Sequence, residues 1–291
     1  MIDNIRKMRE RQRQQLAFSY LHEKRAEYLT KYPQLCCLSF DHIGIVVAVH
    51  GRMDDAFLDW VEERFGPDLA GKTVLDVGAN IGNHTLAFSK IAKKVVAFEP
   101  QDTVHELCVL NARHADNIEV LKLGASDKAA TVHAAVRRDA YGSTRITETP
   151  DANEIATSFE VVPLDTVMGE RSDEVGLIKI DVEGHEPEAL RGAQATIERH
   201  QPVVIIEQDR AVIANGTSPA IDILRGYGYD IHEPVIESHG GSRLPGPVAK
   251  IARRVKHAVS GYDAPRFHLE RRDRLATKTY PYLICLPKAL G

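Results

Sequence analysis

Four carboxylates each close a short apolar run in this 291-residue chain. Asp76 follows Thr73-Val74-Leu75, Glu99 follows Val95-Val96-Ala97-Phe98, Asp181 follows Leu177-Ile178-Lys179-Ile180, and Glu207 follows Val203-Val204-Ile205-Ile206. Acids at strand ends face a common cleft when the strands lie side by side, because open α/β sheets bind ligands beyond the carboxyl ends of their strands. After Asp76 the chain turns through Gly78 and Gly82 into an apolar helical pattern from Leu86. Such a strand-to-helix turn exposes backbone N–H groups and lets a ligand approach the main chain. Glu99 lies 23 residues beyond Asp76, where an acid can take both hydroxyls of a ribose. The chemistry implied is that of a nucleotide-like cofactor.

The dinucleotide pattern G-x-G-x-x-G, counted from Gly78, requires glycine at 80 and 83, and both are asparagine. Asp76 would also repel a pyrophosphate and attract an ammonium or sulfonium. S-adenosylmethionine (SAM) carries both cations and a ribose, and it is preferred here to a nicotinamide dinucleotide or to a turn that binds nothing.

A second constellation runs Asp181-Val182-Glu183-Gly184-His185-Glu186. Methyl transfer to a hydroxyl is helped by a base within hydrogen-bond reach of the acceptor oxygen. His185 and Asp181 are the first candidates, followed by Glu183. The structural alternatives are that His185 only orients a carboxylate and that Asp181 only caps the turn. Glu186 and Glu188 suit the helix N-terminus and its dipole. Asp181, Glu183 and Glu207 also offer oxygen ligands of the kind Mg²⁺ takes, without a spacing that compels a metal.

The elements that must position these groups alternate: strand 73–77, helix 84–92, strand 94–98, helix 102–114, strand 118–122, strand 177–180, helix 186–199, strand 203–207, a helix near 217–226, strand 228–232 and a last strand at 280–286. Strands at 131–136 and 159–163 flank a polar excursion, 141–158. The pattern predicts a doubly wound, mostly parallel α/β sheet of seven strands, Rossmann-like, with the last strand antiparallel at or near one edge. Residues 1–70 form an N-terminal extension: a charged helix over 2–30 that Pro33 ends, a hairpin-like pair within 35–49, and a helix from Asp54 or Asp55 that Gly66-Pro67 stops. Residues 71–291 form the main domain, with a basic insertion at 235–278.

Composition is that of an ordinary globular chain. No run of about 18 apolar residues is present, so no spanning helix is expected. The N-terminus is charged and lacks an apolar signal core. Cys36, Cys37, Cys108 and Cys285 lack zinc-site spacing, and a reduced cytoplasmic protein is expected. Net charge is −4, unevenly spread: residues 1–31 hold eight Lys/Arg against four acids and residues 243–278 ten against three, leaving a body with 19 basic and 34 acidic residues. Two basic segments suggest an anionic partner or simply solvated helix faces. Val248, Ile251, Ala252, Val255, Ala258 and Val259 fall at helical spacing among Lys250, Arg253, Arg254 and Lys256. A basic amphipathic helix over 247–259 could rest on the inner face of an anionic membrane or line a pocket for an acidic sugar.

The blocks Val74-Leu75-Asp76-Val77-Gly78-Ala79-Asn80-Ile81-Gly82, Val96-Ala97-Phe98-Glu99-Pro100, Gly124-Ala125-Ser126-Asp127-Lys128, Pro163-Leu164-Asp165 and Ile178-Lys179-Ile180-Asp181-Val182-Glu183-Gly184-His185-Glu186 together resemble the FkbM type of SAM-dependent methyltransferase, over about 71–209. The resemblance implies the class I methyltransferase fold and O-methyl transfer, commonly to a sugar, glycan, glycolipid or natural-product hydroxyl. It implies that Asp76, Gly78, Ala79, Asn80, Gly82 and Asn83 wrap the methionine end of SAM, that Glu99 with Pro100 holds the ribose, and that Ala125, Ser126 and Asp127 lie near the adenine. A nucleic-acid methyltransferase is the weaker alternative, since Asp181-Val182-Glu183-Gly184 has neither the prolines of adenine N-methylation nor a Pro-Cys turn. A non-catalytic SAM-binding protein is the third.

Overall fold

The structure, a computed structural model, describes residues 2–39, 41–137, 140–169, 171–237 and 266–288. The helix expected over 247–259 lies outside them.

Five short runs of branched apolar residues build the centre of an eight-stranded sheet: β1 (Thr73–Val77), β2 (Lys94–Phe98), β3 (Ile118–Leu121), β8 (Val175–Ile180) and β9 (Val203–Gln208). They are all parallel, in the order β9-β8-β1-β2-β3. The sheet continues past β9 through β12 (Tyr280–Pro287), β10 (Tyr229–Ile236) and β11 (Phe267–Arg271). The last strand, β12, is antiparallel to both of its neighbours and sits inside the edge rather than on it. The expected seven strands are present, and an eighth, β11, comes from the basic insertion. It pairs with the end of β10, Phe267 opposite Ile236.

Alternate residues of each buried strand point to opposite faces. Val74, Leu177 and Ile284 pack under Phe57, Leu58, Val61, Phe65 and Leu69 of α3 (Asp55–Leu69) and Phe88 of α4 (Asn83–Ser89). Leu75, Ile178, Ile206 and Leu283 face Leu164 of α6 (Leu164–Gly169), Leu190 of α7 (Glu186–Arg191), Ile197 of α8 (Gln194–His200) and Ile221 and Leu224 of α9 (Pro219–Gly226). Thus α3, on the N-terminal side of residue 70, is one of the covering helices of the sheet. The remaining helices are α1 (Ile2–Lys31), α2 (His42–His50) and α5 (Asp102–Ala112).

Four expectations change. The hairpin within 35–49 is instead α2: Asp41 accepts the N–H of Ile43 at 2.9 Å as an N-cap, Gly51 closes the other end at φ +80°, and this capping overrides the strand preference of Ile43, Ile45, Val46, Val47 and Val49. Pro67 lies inside the last turn of α3, which continues to bury Leu69. The helix over 186–199 is broken into α7 and α8 at Gly192-Ala193, where a Cβ on Gly192 would come 1.9 Å from the Ser126 carbonyl oxygen. The polar excursion 141–158 is largely strand: β4 (Gly124–Ala125), β5 (Ala130–Arg137), β6 (Ala140–Ile146) and β7 (Glu154–Val162) make a second sheet, ordered β4-β7-β5-β6.

Candidate active site

The carboxyl ends of β1, β2, β8 and β9 open on a cavity of about 370 Å³, walled on one side by Thr144, Ile146, Phe159 and Val161 of the second sheet. Among the residues expected at the site, Gly78, Ala79, Asn80, Asn83, Glu99, Pro100, Ala125, Asp181, Glu183 and His185 line it.

Gly78 adopts φ +78°, and a Cβ there would lie 1.8 Å from the Asp181 carbonyl oxygen, so only glycine lets β1 and β8 approach at this point. Gly82, at φ +85°, packs against Cys108. The turn differs from the sequence expectation in one respect: its N–H groups are not offered to a ligand. Gly78 and Ala79 both donate to the Phe98 carbonyl, Asn80 to Glu99 Oε2, Ile81 to Asn80 Oδ1 and Gly82 to the Ala79 carbonyl.

Glu99 accepts two backbone bonds of 2.9 Å, from Asn80 and Gln101. Burial pushes its carboxyl up to about 7, against the pull of those two donors and of Lys179. Asp76 is fully buried beneath the turn. Its Oδ2 accepts the Thr85 hydroxyl at 2.6 Å, while Oδ1 lies 3.4 Å from Lys179 Nζ and has no hydrogen-bond partner. Asn83 is spent on the N-terminal segment, donating to the Met53 carbonyl and accepting its N–H, each at 3.1 Å.

Lys179 joins the two acid-ended strands. Its ammonium donates to the Gly78 carbonyl at 2.8 Å and lies 3.4 Å from Asp181 Oδ2. Burial alone would lower this group, but Asp181 and Asp76 outweigh it and hold it above its ordinary value. Burial likewise works against Asp181, and Lys179, helped by the neighbouring Glu207, keeps it below the usual carboxylate range. Glu207 is pushed up to about 9 by burial and by the charge of Asp181. At neutral pH the pair therefore shares one proton and one negative charge. Among the described residues no group of three or more His, Cys, Asp or Glu is arranged to hold a metal ion.

His185 stands apart from that pair in its bonding. Its Nε2 is 3.0 Å from the Ser126 hydroxyl and its Nδ1 is 3.5 Å from Glu188. Burial keeps the ring below its ordinary value. Ser126 is buried and also donates to Asp127, which is half-exposed. Glu183, at φ +52°, lies in the turn that Glu186 closes by accepting from Val182 and Gly184.

The sequence reading missed Lys179, which is hidden inside an apolar strand, and a further group of Asp54, His84 and Tyr282. Asp54 is 3.4 Å from His84 Nε2, and the Tyr282 ring lies 5.9 Å from that of His84 and stacks on Phe57 with centroids 3.7 Å apart. The available signal was an acid directly before a helix and a histidine one residue after Asn83.

No curated protein matches this chain. Among solved structures it resembles a methyltransferase FkbM from Methylobacillus flagellatus KT, at 18% identity over 76% of this chain, with a TM-score of 0.39. This chain spans 57% of that protein's length. It also resembles the magnesium protoporphyrin IX methyltransferase of Synechocystis PCC 6803, solved with bound SAM (10% identity, 93% of this chain and 94% of that one, TM-score 0.43). A third is a structure described as a putative rRNA methylase from Clostridium thermocellum (11% identity, 81% and 95%, TM-score 0.40). The family model for the methyltransferase FkbM domain matches residues 76–231, more than half of the chain, and the protein is a member of that family.

Proposed function

We propose that the protein is a SAM-dependent O-methyltransferase acting on a hydroxyl of a glycan, glycolipid or related small molecule. The observation that carries this reading is the charge of the cavity. Asp41, Asp54, Glu99, Asp181, Glu183 and Glu207 line it, and Lys179 is the one lysine or arginine among the described lining residues. Its ammonium is already committed to Gly78, Asp76 and Asp181. An acidic cavity beside a turn whose N–H groups from 78 to 82 are all engaged within the fold suits a cation and disfavours a pyrophosphate. When bound, SAM supplies a methyl group on a positively charged sulfur. The turn 78–83 would hold its amino-acid end, with buried Asp76 supporting that turn from beneath through Thr85 and Lys179, and Glu99 its ribose, each Glu99 oxygen retaining a lone pair beyond its backbone bond.

On the acceptor side, ionised Asp181 receives the hydrogen bond of the reacting hydroxyl and orients it, with Glu207 holding the neighbouring proton. Glu183 borders the same wall. His185, engaged by Ser126 and Glu188, steadies the 124–127 turn. The acidic lining favours an uncharged hydroxyl at the reacting end, so any anionic part of the acceptor lies away from it. A seat on an anionic membrane through 247–259 is tested by liposome flotation; failure of the intact protein to float removes it. Among the described residues no helix is long and apolar enough to cross a membrane.

Transfer of labelled methyl from SAM into fractionated cell extract tests the whole reading. Label in the saccharide or glycolipid fraction is expected. Label in nucleic acid or protein instead would overturn the acceptor class, and no label in any fraction would overturn the transferase reading.

A further inference from the structure

Asp54 occupies the N-cap position of α3, where an aspartate ordinarily turns its carboxylate onto the helix N–H groups. It does not do so here. Its backbone is left-handed, φ +57°, a conformation costly for a residue with a Cβ, and its side chain makes no capping bond. The carboxylate reaches into the cavity instead, to His84 Nε2 at 3.4 Å, and the Tyr282 ring lies 5.9 Å from the imidazole, centroid to centroid. All three residues line the cavity. Asp54 and Tyr282 fall outside the residues that the family model matches, on opposite flanks of it. A local strain that turns a carboxylate from a helix end toward an imidazole is the geometry of an oriented base.

We propose that His84 is the catalytic base for the acceptor hydroxyl, with Asp54 as its positioning residue and the Tyr282 ring bracing the imidazole. The Asp54 contact puts the ring proton on Nε2 and leaves Nδ1 as the acceptor. The hydroxyl proton passes to Nδ1 as its oxygen gains the methyl group, whose bond to the SAM sulfur would break with the electron pair left on a neutral thioether, and the resulting imidazolium is balanced by Asp54. Asp181, Lys179 and Glu207 line the same cavity as His84. Asp181 is already paired with Lys179 and orients the hydroxyl, while the imidazole takes its proton. The assignment rests on the O-methyltransferase reading above.

The test uses the full-length protein and the variants His84→Gln, Asp54→Asn and Tyr282→Phe, with two readouts that need no acceptor: the Kd for SAM by calorimetry and the imidazole ¹⁵N spectrum. His84→Gln should retain SAM binding within about threefold and lose at least about 100-fold in labelled-methyl transfer. Asp54→Asn, which keeps the imidazole, should lose roughly tenfold and shift the His84 ring away from the Nε2–H tautomer. Tyr282→Phe keeps the ring beside the imidazole and its stack on Phe57 and should leave the His84 spectrum as in the parent. Transfer by His84→Gln at the parent rate, or a His84 proton on Nδ1 in the parent protein, overturns the assignment. A parent protein that binds SAM and transfers to no fraction refutes the methyl-transfer reading instead, and the spectrum still decides the Asp54–His84 pairing.

Discussion

The two halves of the cavity are built in different ways. The half assigned to the cofactor comes from two consecutive βα units: β1 with its turn, then β2 ending in Glu99. Its residues are close in sequence, and their backbone bonds are satisfied among themselves. The half assigned to the acceptor is gathered from distant segments. Asp54 precedes α3, Asp181 and Glu207 end β8 and β9, Tyr282 belongs to β12, and the second sheet supplies an apolar wall. Lys179 ties the halves together, because its ammonium reaches Asp76 on one side and Asp181 on the other. A cofactor shared across a family can be held by a local motif. An acceptor particular to one enzyme is met by whatever the flanking segments bring to the same rim.

Four perturbations sharpen that contrast. The largest effect is expected from Asp76→Ala, which removes the cofactor half's buried acid and leaves Lys179 with Asp181 alone. Loss of a buried, paired carboxylate costs about 3 kcal/mol or more, roughly 100-fold or greater in SAM affinity. Unchanged affinity by calorimetry would sink the cofactor assignment. Next, Gly78→Ala must displace the Asp181 carbonyl, and both halves should suffer at once. A stability loss of about 3 kcal/mol is expected in a denaturant titration; a loss under about 1 kcal/mol would mean that the strands can part there without harm.

The third perturbation is pH. Glu99 and Glu207 are raised above their unfolded carboxyl values, to about 7 and about 9. The folded protein therefore holds protons that the unfolded chain has released, and stability contributed by these groups falls as pH rises from about 4.5 through those values. Glu207→Gln, a mimic of the protonated acid, should flatten the decline between about pH 7 and 9, while Glu99→Gln should flatten it only below about 7. Denaturation midpoints across pH 5–9 check this, and a Glu207→Gln profile parallel to the parent's would contradict the shared proton. The smallest effect belongs to Asn83→Ala. It severs two bonds to Met53, costs about 1–2 kcal/mol, and should reduce methyl transfer more than SAM binding because Asp54 follows Met53. Equal losses in both would erase the distinction between the halves.

The same division explains what the sequence disclosed. The strand ends Asp76, Glu99 and Asp181 were legible because a continuous apolar run, buried on both faces, closed by an acid leaves a local trace. The turn's glycines were legible because a backbone at φ +78° demands one at 78. Lys179 was not, since a lysine inside an apolar strand looks like an interruption until its partners on the adjacent strand are known. Asp54 reads as an ordinary helix cap, and only its left-handed backbone reveals that the carboxylate points elsewhere. Residues 35–49 were misjudged because their branched residues favour strand locally, while the Asp41 and Gly51 caps decide for helix. Strand β11 was missed because its five residues, Phe267–Arg271, are stabilised by pairing with β10 rather than by their own pattern.

The central claim is that one acidic cavity holds SAM against the turn that buried Asp76 supports and presents the acceptor to Asp181 across the Lys179 bridge. Calorimetric titration of SAM into the parent protein, Asp76→Asn and Asp181→Asn tests it most directly. The account predicts saturable binding by the parent, loss of binding in Asp76→Asn, and affinity within about threefold of the parent in Asp181→Asn, whose contribution is to the acceptor. Equal binding by the parent and Asp76→Asn, or no binding by the parent at all, would contradict it.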